Sequence, residues 1–251
     1  MFRAYTISQQ DLDDRLHIYE KARKAYDWNP KHDISWNDSW GFKDSELEFA
    51  WNLASQSVSA EEVGMLVAAK LLTEADDAPS RLCLATAVSD EAKHCEVFSR
   101  FALLCGGNIK PPDPARDDLL DTLLGLNPTG RFLVHTLLEG LASDEFAMFR
   151  RAFQGTILDE IYQRVIQDES RHVAMGIEYL KWAVERMNDD EIQELREHSK
   201  RIYDLTGIDQ PGAFNWLGKL IGQSPDKIQK TFILRNRSRL NLILSRKGVK
   251  A

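Results

Sequence analysis

Apolar residues recur along this chain at helical spacing, three and four positions apart, and strand-like alternation never survives more than a few residues. The pattern predicts an all-α protein. A short amphipathic segment covers about 10–26, and an irregular aromatic stretch from Trp28 to Trp36 is expected to wrap the surface. Long helices follow over about 44–75, from about 80 to 104, and over about 128–153 and 156–187. Asp76-Asp77-Ala78-Pro79-Ser80 breaks the first two apart, and Gly106-Gly107 suits the end of the second. The Pro111–Pro114 piece and a short helix over about 117–124 make a crossover. Beyond Asn188, Gly207, Pro211, Gly222 and Pro225 punctuate two or three shorter helices. Four long helices in two hairpins, joined by one longer connection, form a four-helix bundle with extra N- and C-terminal helices. The whole chain, 1–251, reads as one domain, with the bundle at about 44–187 and a helical extension at about 188–251.

Inside two of these helices one pentapeptide occurs twice, as Asp90-Glu91-Ala92-Lys93-His94 and as Asp168-Glu169-Ser170-Arg171-His172. Residues three apart on a helix share a face, so each copy projects a carboxylate and an imidazole together. Two such pairs are half of a binuclear metal site, and one carboxylate from each of two further helices would complete it. If the first hairpin turns near residues 76–77, Glu91 lies about 14 positions beyond the turn, and its level partner about 14 before it is Glu62, with Glu61 the alternative beside it. In the second hairpin, turning near Gln154-Gly155, Glu169 is level with Glu139. At 1.5 Å per residue all four carboxylates then lie about 21 Å from their turns. The expected metal ligands are therefore Glu62, Glu91, His94, Glu139, Glu169 and His172, with Glu91 and Glu169 bridging. Glu145 lies too near the turn and reads as a solvated acid.

Metal-bound histidine usually donates its second N–H to a carboxylate. Across antiparallel neighbours Asp90 can reach His172 and Asp168 can reach His94. His135, one turn before Glu139, is either a further imidazole of the site or a hydrogen-bonded core histidine. Gly140, Ala142 and Ser143 are candidates for open space over the metals, with Val58, Met65, Phe98 and Met175 as apolar walls. Oxygen and imidazole donors suit two iron ions, with manganese an option, and six protein ligands leave positions for dioxygen. Zinc would do no redox work.

Bulk properties narrow the partners. A net charge of −7 argues against nucleic-acid binding, although Arg235, Arg237, Arg239, Arg246, Lys247 and Lys250 crowd the C-terminus as a solvated face or an anionic contact. Residues 1–14 lack the apolar core of a signal peptide, and no run approaches membrane-spanning length. Cys83, Cys95 and Cys105 form no Cys-x-x-Cys, so a reducing cytosol fits. No glycine-rich nucleotide fingerprint occurs, so electrons are expected from a separate reductase. A homodimer is compatible with the chain but not required by it.

Between about 58 and 180 the sequence resembles the non-haem di-iron carboxylate oxygenases of the ferritin-like superfamily. Glu62-Val63-Gly64 followed by Asp90–His94 looks like the first ligand pair of bacterial multicomponent monooxygenase hydroxylases, and Asp168 to Gly176 like the last. The ligand spacing is similar to that of aldehyde-deformylating oxygenases, and the Asp-Glu-x-Arg-His element to that of acyl-carrier-protein desaturases. The resemblance implies dioxygen activation and assigns Ser143 to the position of a catalytic threonine. Phe98 stands where ribonucleotide reductase small subunits carry a radical tyrosine, and Val165 where arylamine N-oxygenases carry an extra histidine. Rubrerythrins need a thiolate module these cysteines cannot build, and ferritin subunits show one Glu-x-x-His. The leading expectation is an oxygenase or oxidase of a small organic substrate; the competing ones are an Fe(II)-oxidising iron-handling protein and a helical scaffold with degenerate motifs.

Overall fold

A computed structural model describes residues 9–25, 28–36, 42 and 44–245. Among them the chain forms nine helices and no strand: α1 (Gln9–Ala25), α2 (Asp44–Glu74), α3 (Ala78–Gly106), α4 (Ala115–Gly125), α5 (Pro128–Ala152), α6 (Ile157–Val184), α7 (Asp189–Thr206), α8 (Asn215–Ile221) and α9 (Pro225–Leu244). No helix among the described residues is long and apolar enough to cross a membrane. Of the C-terminal basic cluster, Arg246, Lys247 and Lys250 lie outside the described residues, as do positions 1–8 of the opening segment.

The core is two helical hairpins, α2 with α3 and α5 with α6, packed against each other. The turns follow from local chemistry. Asp77 caps α3 by accepting from the backbone N–H of Ser80 at 3.0 Å. Pro79 sits in the first helical turn, where a missing N–H costs nothing, so the expected five-residue break narrows to its first half. The other end of α3 closes on Gly107, whose φ of 73° is accessible to glycine at little cost. Asn127 caps α5 through the N–H of Gly130 at 2.7 Å, with Pro128 leading the helix.

Helix α6 shows why the site is interior. Its buried positions run Ile157, Leu158, Ile161, Tyr162, Val165, Asp168, Glu169, His172, Met175, Gly176, Leu180 and Val184. That is an apolar stripe at helical spacing in which three ionisable groups replace hydrophobes. Helices α5 and α6 approach closely at Gly176, where a Cβ would lie 2.1 Å from the Thr136 hydroxyl oxygen. Arg131, buried at the start of α5, donates to the carbonyls of Leu123, Leu124 and Leu126 and pairs with Glu74 at the end of α2. It ties the crossover helix α4 to both hairpins. Helices α7, α8 and α9 lie against α5, and α1 lies against α3 and α6.

Candidate metal centre

Four helices meet at one buried acidic cluster. Helix α2 contributes Glu61, α3 contributes Glu91 and His94, α5 contributes Glu139, and α6 contributes Glu169 and His172. Their donor atoms form two overlapping groups, Glu61–Glu91–His94–Glu169 and Glu91–Glu139–Glu169–His172, within each of which all donors lie within 4.8 Å of one another. Glu91 and Glu169 belong to both. His94 Nδ1 lies 3.1 Å from Glu169, 3.4 Å from Glu61 and 3.7 Å from Glu91. His172 Nδ1 lies 3.2 Å from Glu91 and 3.4 Å from both Glu139 and Glu169. The two imidazole rings are 6.3 Å apart.

The outward nitrogens are held crosswise. His94 Nε2 is 3.2 Å from Asp168, and His172 Nε2 is 3.2 Å from Asp90. Lys93 reaches Asp90 at 2.8 Å and Asp168 at 3.2 Å, while Arg171 reaches them at 3.0 and 2.5 Å. Two buried carboxylates therefore face two partly buried cations, a closed network that offsets much of the desolvation cost. Trp28 completes it, donating its Nε1–H to Asp168 at 2.9 Å and stacking on the His94 ring. Lys93 also sits 5.0 Å over the indole.

The inner protonation balance follows from this crowding. Burial opposes charge on both imidazoles, but Asp168, Glu169, Glu61 and Glu91 around His94, and Asp90, Glu139 and Glu169 around His172, outweigh it and hold both rings well above the usual histidine range. Burial and the neighbouring acids push Glu61 and Glu139 well above the usual carboxyl range. Glu91 is held well below it because the two imidazoles outweigh its burial. Glu169 falls to about 2 against the opposing effects of burial and Glu91. These shifts favour an arrangement in which Glu91 and Glu169 are ionised and the two imidazoles are protonated. Glu91 Oε1, His94 Nδ1 and Glu169 Oε2 are nonetheless buried without a hydrogen bond. Unmet donors and acceptors of this kind around one space fit a pair of cations.

The structure brings together five of the six expected ligands and replaces the sixth. Glu62 is exposed, whereas Glu61 is 5% exposed and points into the cluster. Counting residues from the turn sets height, but adjacent residues on a helix face about 100° apart. The buried stripe Ala54, Ser57, Val58, Glu61, Ala68, Leu71 decides the azimuth. His135 lies 3.1 Å from Glu139 and outside both donor groups. Burial lowers it to about 4, so it is neutral.

A cavity of about 480 Å³ opens beside the cluster, touching Glu61, Glu91, Glu139 and Glu169. Ala142 lines it, but Ser143 does not, so the expected hydroxyl is absent from that wall. Gly140 is also not a wall residue, because it accommodates Arg239 of α9, 2.6 Å from where a Cβ would be. Val58, Met65, Phe98 and Met175 are likewise not among the wall residues. The walls come instead from α2, α4 and α5 and from the C-terminal segment Leu205–Phe232. Glu145, expected in solvent, faces the cavity, and burial pushes its carboxyl up to about 7 against the partial opposition of Arg116. Trp28 and Glu145 were the residues least visible in the sequence, one inside an irregular stretch and the other on an apparently polar face. Arg235 and Arg239 pair with Asp144 at 2.7 and 2.8 Å, clasping α9 to α5.

No protein-family profile matches the chain, and no curated protein matches its sequence. Solved structures match along its length. A valine-to-alanine variant of an R2-like ligand-binding oxidase with anaerobically reconstituted Mn/Fe cofactor superposes with a TM-score of 0.72 at 19% identity, covering 95% of this chain and 98% of that one. A valine-to-isoleucine variant with aerobically reconstituted Mn/Fe cofactor gives 0.71 at 21%, covering 91% and 93%. A glycine-to-leucine variant with non-activated Mn/Mn cofactor gives 0.72 at 20%, covering 95% and 98%. At these identities the match establishes the fold, a ferritin-like helical bundle.

Proposed function

We propose that Glu61, Glu91, His94, Glu139, Glu169 and His172 hold two redox-active ions, iron or manganese, and that the protein is a dioxygen-dependent oxidoreductase of a small organic substrate. The observation that carries this reading is the pair of overlapping donor groups sharing Glu91 and Glu169. Carboxylates common to both groups can serve two neighbouring cations at once. All donors are oxygen or imidazole nitrogen, a set that suits iron and manganese, and the fold is one in which the R2-like oxidases carry Mn/Fe and Mn/Mn cofactors.

When bound, such a pair supplies electrons to dioxygen, so that an organic molecule is hydroxylated, N-oxygenated, desaturated or cleaved. The chain's own residues prepare the site. Asp168 and Asp90 keep a proton on the Nε2 of His94 and His172, which leaves each Nδ1 free to face inward. Against burial, the imidazoles they face, with Lys93 beside both and Arg171 beside Asp168, hold those aspartates below the usual carboxyl range. Gly64 leaves room beside Glu91, since a Cβ there would lie 3.0 Å from Glu91 Oε2. Neutral His135 steadies Glu139 from one turn away. The cavity that meets the cluster favours an organic substrate over Fe(II) alone, and a separate reductase supplies the electrons.

Anaerobic loading with Fe(II), followed by elemental analysis and exposure to dioxygen with candidate amines, acids and aldehydes, tests the reading. Two ions per chain are expected, lost on Glu91→Ala or His172→Ala. No bound metal, or full occupancy in both variants, overturns it.

A further inference from the structure

About one to two turns from the acidic cluster the same cavity carries a second polar level. Arg116 of α4 and Glu145 of α5 both line it, beside Ser57 of α2. Neither charge makes a hydrogen bond or ion pair with any described residue, and Arg116 Nε is buried without a hydrogen-bond partner. They sense each other electrostatically but do not close into a bridge. Unlike charges sharing a low-dielectric wall normally pair, because each left alone bears its own desolvation cost. A gap held open between them is the shape of a ligand that carries both opposite charges.

We propose that this cavity binds a zwitterionic α-amino acid with an apolar side chain, its carboxylate on Arg116 and its ammonium on Glu145. A simple carboxylic acid would satisfy Arg116 and set a second negative charge against Glu145. A simple amine would satisfy Glu145 and leave Arg116 Nε unmet. Only the zwitterion answers both. Its ammonium also completes the ionisation of a carboxyl that burial leaves poised at about 7.

The reach is consistent. Ser57 precedes Glu61 by four residues and Glu145 follows Glu139 by six, which places the polar level about 6–9 Å along the helices from the cluster. An apolar side chain, aromatic ones most fully, extends part of the way along that distance, and Ala60, Leu119 and Ala142 supply small or apolar wall toward the acids. The side chain, not the α-carbon, is thereby presented to the candidate metal pair. That such a ligand is the substrate rests on the oxidoreductase reading; that it binds does not.

Calorimetric titration of the full chain, metal-free and anaerobically Fe(II)-loaded, with L-phenylalanine, L-leucine and L-tryptophan tests this. Each is compared with analogues of phenylalanine lacking the ammonium (3-phenylpropanoate) or the carboxylate (2-phenylethylamine). At least one amino acid is expected to bind tenfold or more tightly than both analogues. Arg116→Met should reduce phenylalanine to the level of the amine, and Glu145→Gln should reduce it to the level of the acid. A variant that merely unfolds would lose all ligands alike, which thermal unfolding and the analogue titrations expose. An analogue binding as tightly as the amino acids, no binding by any of the three, or an unchanged preference in both variants overturns the proposal. Zwitterion preference without metal uptake would leave this site standing and the oxidoreductase reading fallen; metal uptake without the preference would do the reverse.

Discussion

Loading the cluster with metal should release close to four protons per chain. In the metal-free protein the shifts favour the protonated forms of His94, His172, Glu61 and Glu139 and the ionised forms of Glu91 and Glu169. Two carboxylates against two imidazoliums make the cluster neutral. With two divalent ions bound, four carboxylates balance four positive charges, and both Nδ1 atoms must be bare. Moving from one neutral arrangement to the other expels four protons. Asp90 and Asp168 keep their charges throughout because Lys93 and Arg171 remain beside them. Each released proton adds about 1.36 kcal/mol of binding free energy per pH unit, so the pair should gain about 5.4 kcal/mol per unit as pH rises through neutrality. Anaerobic titration with Mn(II) in weak buffer, read with a pH indicator, counts the protons directly. Glu61→Gln should lower the count by more than one, because His94 is then no longer stripped of its proton by the ion that Glu61 helps to hold. Release of one proton or none at pH 7, or affinity that is flat between pH 6 and 7.5, would refute the argument.

Four further outcomes follow from the same geometry. Glu61→Gln should bind fewer than two metals per chain while Glu62→Gln binds two, measured by elemental analysis. Trp28→Phe removes the indole donor from buried Asp168, and chelator competition should show metal affinity about 10–100-fold weaker. Arg131→Met leaves three carbonyls of the α4–α5 junction without their donor and Glu74 with only Lys70 as a partner. It should cost about 3–5 kcal/mol, a fall in Tm of about 6–20 °C for a chain of this size. Raised folded pKa values at His94 and His172 stabilise the metal-free fold fully below about pH 6.5 and cease to as pH rises through those values. Raised values at Glu61 and Glu139 add a penalty over the range where the unfolded carboxyls ionise and the folded ones do not. Metal-free protein should therefore lose stability on going from pH 5 to 9 in chemical denaturation, and metal-loaded protein should not.

The cluster's design explains why the bundle tolerates so many buried charges. Every ionisable group in it faces an opposite charge or shares a proton, and the second pair of acids is neutralised by cations that reach in from the same two pentapeptides. Lys93 and Arg171 remain only slightly exposed yet sit on the rim of the network. The repeated Asp-Glu-x-basic-His element is thus a complete electrostatic unit: one acid for the site, one for the neighbour's histidine, and one cation for both aspartates.

What the amino-acid order determined by itself was periodic and local. Helical spacing, the caps at Asp77 and Asn127, and the glycine past α3 depend on neighbours within a turn or two. The all-helical bundle and the heights of Glu91, His94, Glu139, Glu169 and His172 could accordingly be read directly. Tertiary packing decided the quantities that depend on which face turns inward. It selected Glu61 over Glu62, set Trp28 from a distant loop against Asp168, brought Arg239 against Gly140, and turned Glu145 toward a cavity roofed by α7 to α9. Height along a helix accumulates at a fixed rise per residue, so counting suffices. Azimuth and long-range contact are set by the burial of whole helix faces against elements a hundred residues away, and no local pattern encodes them.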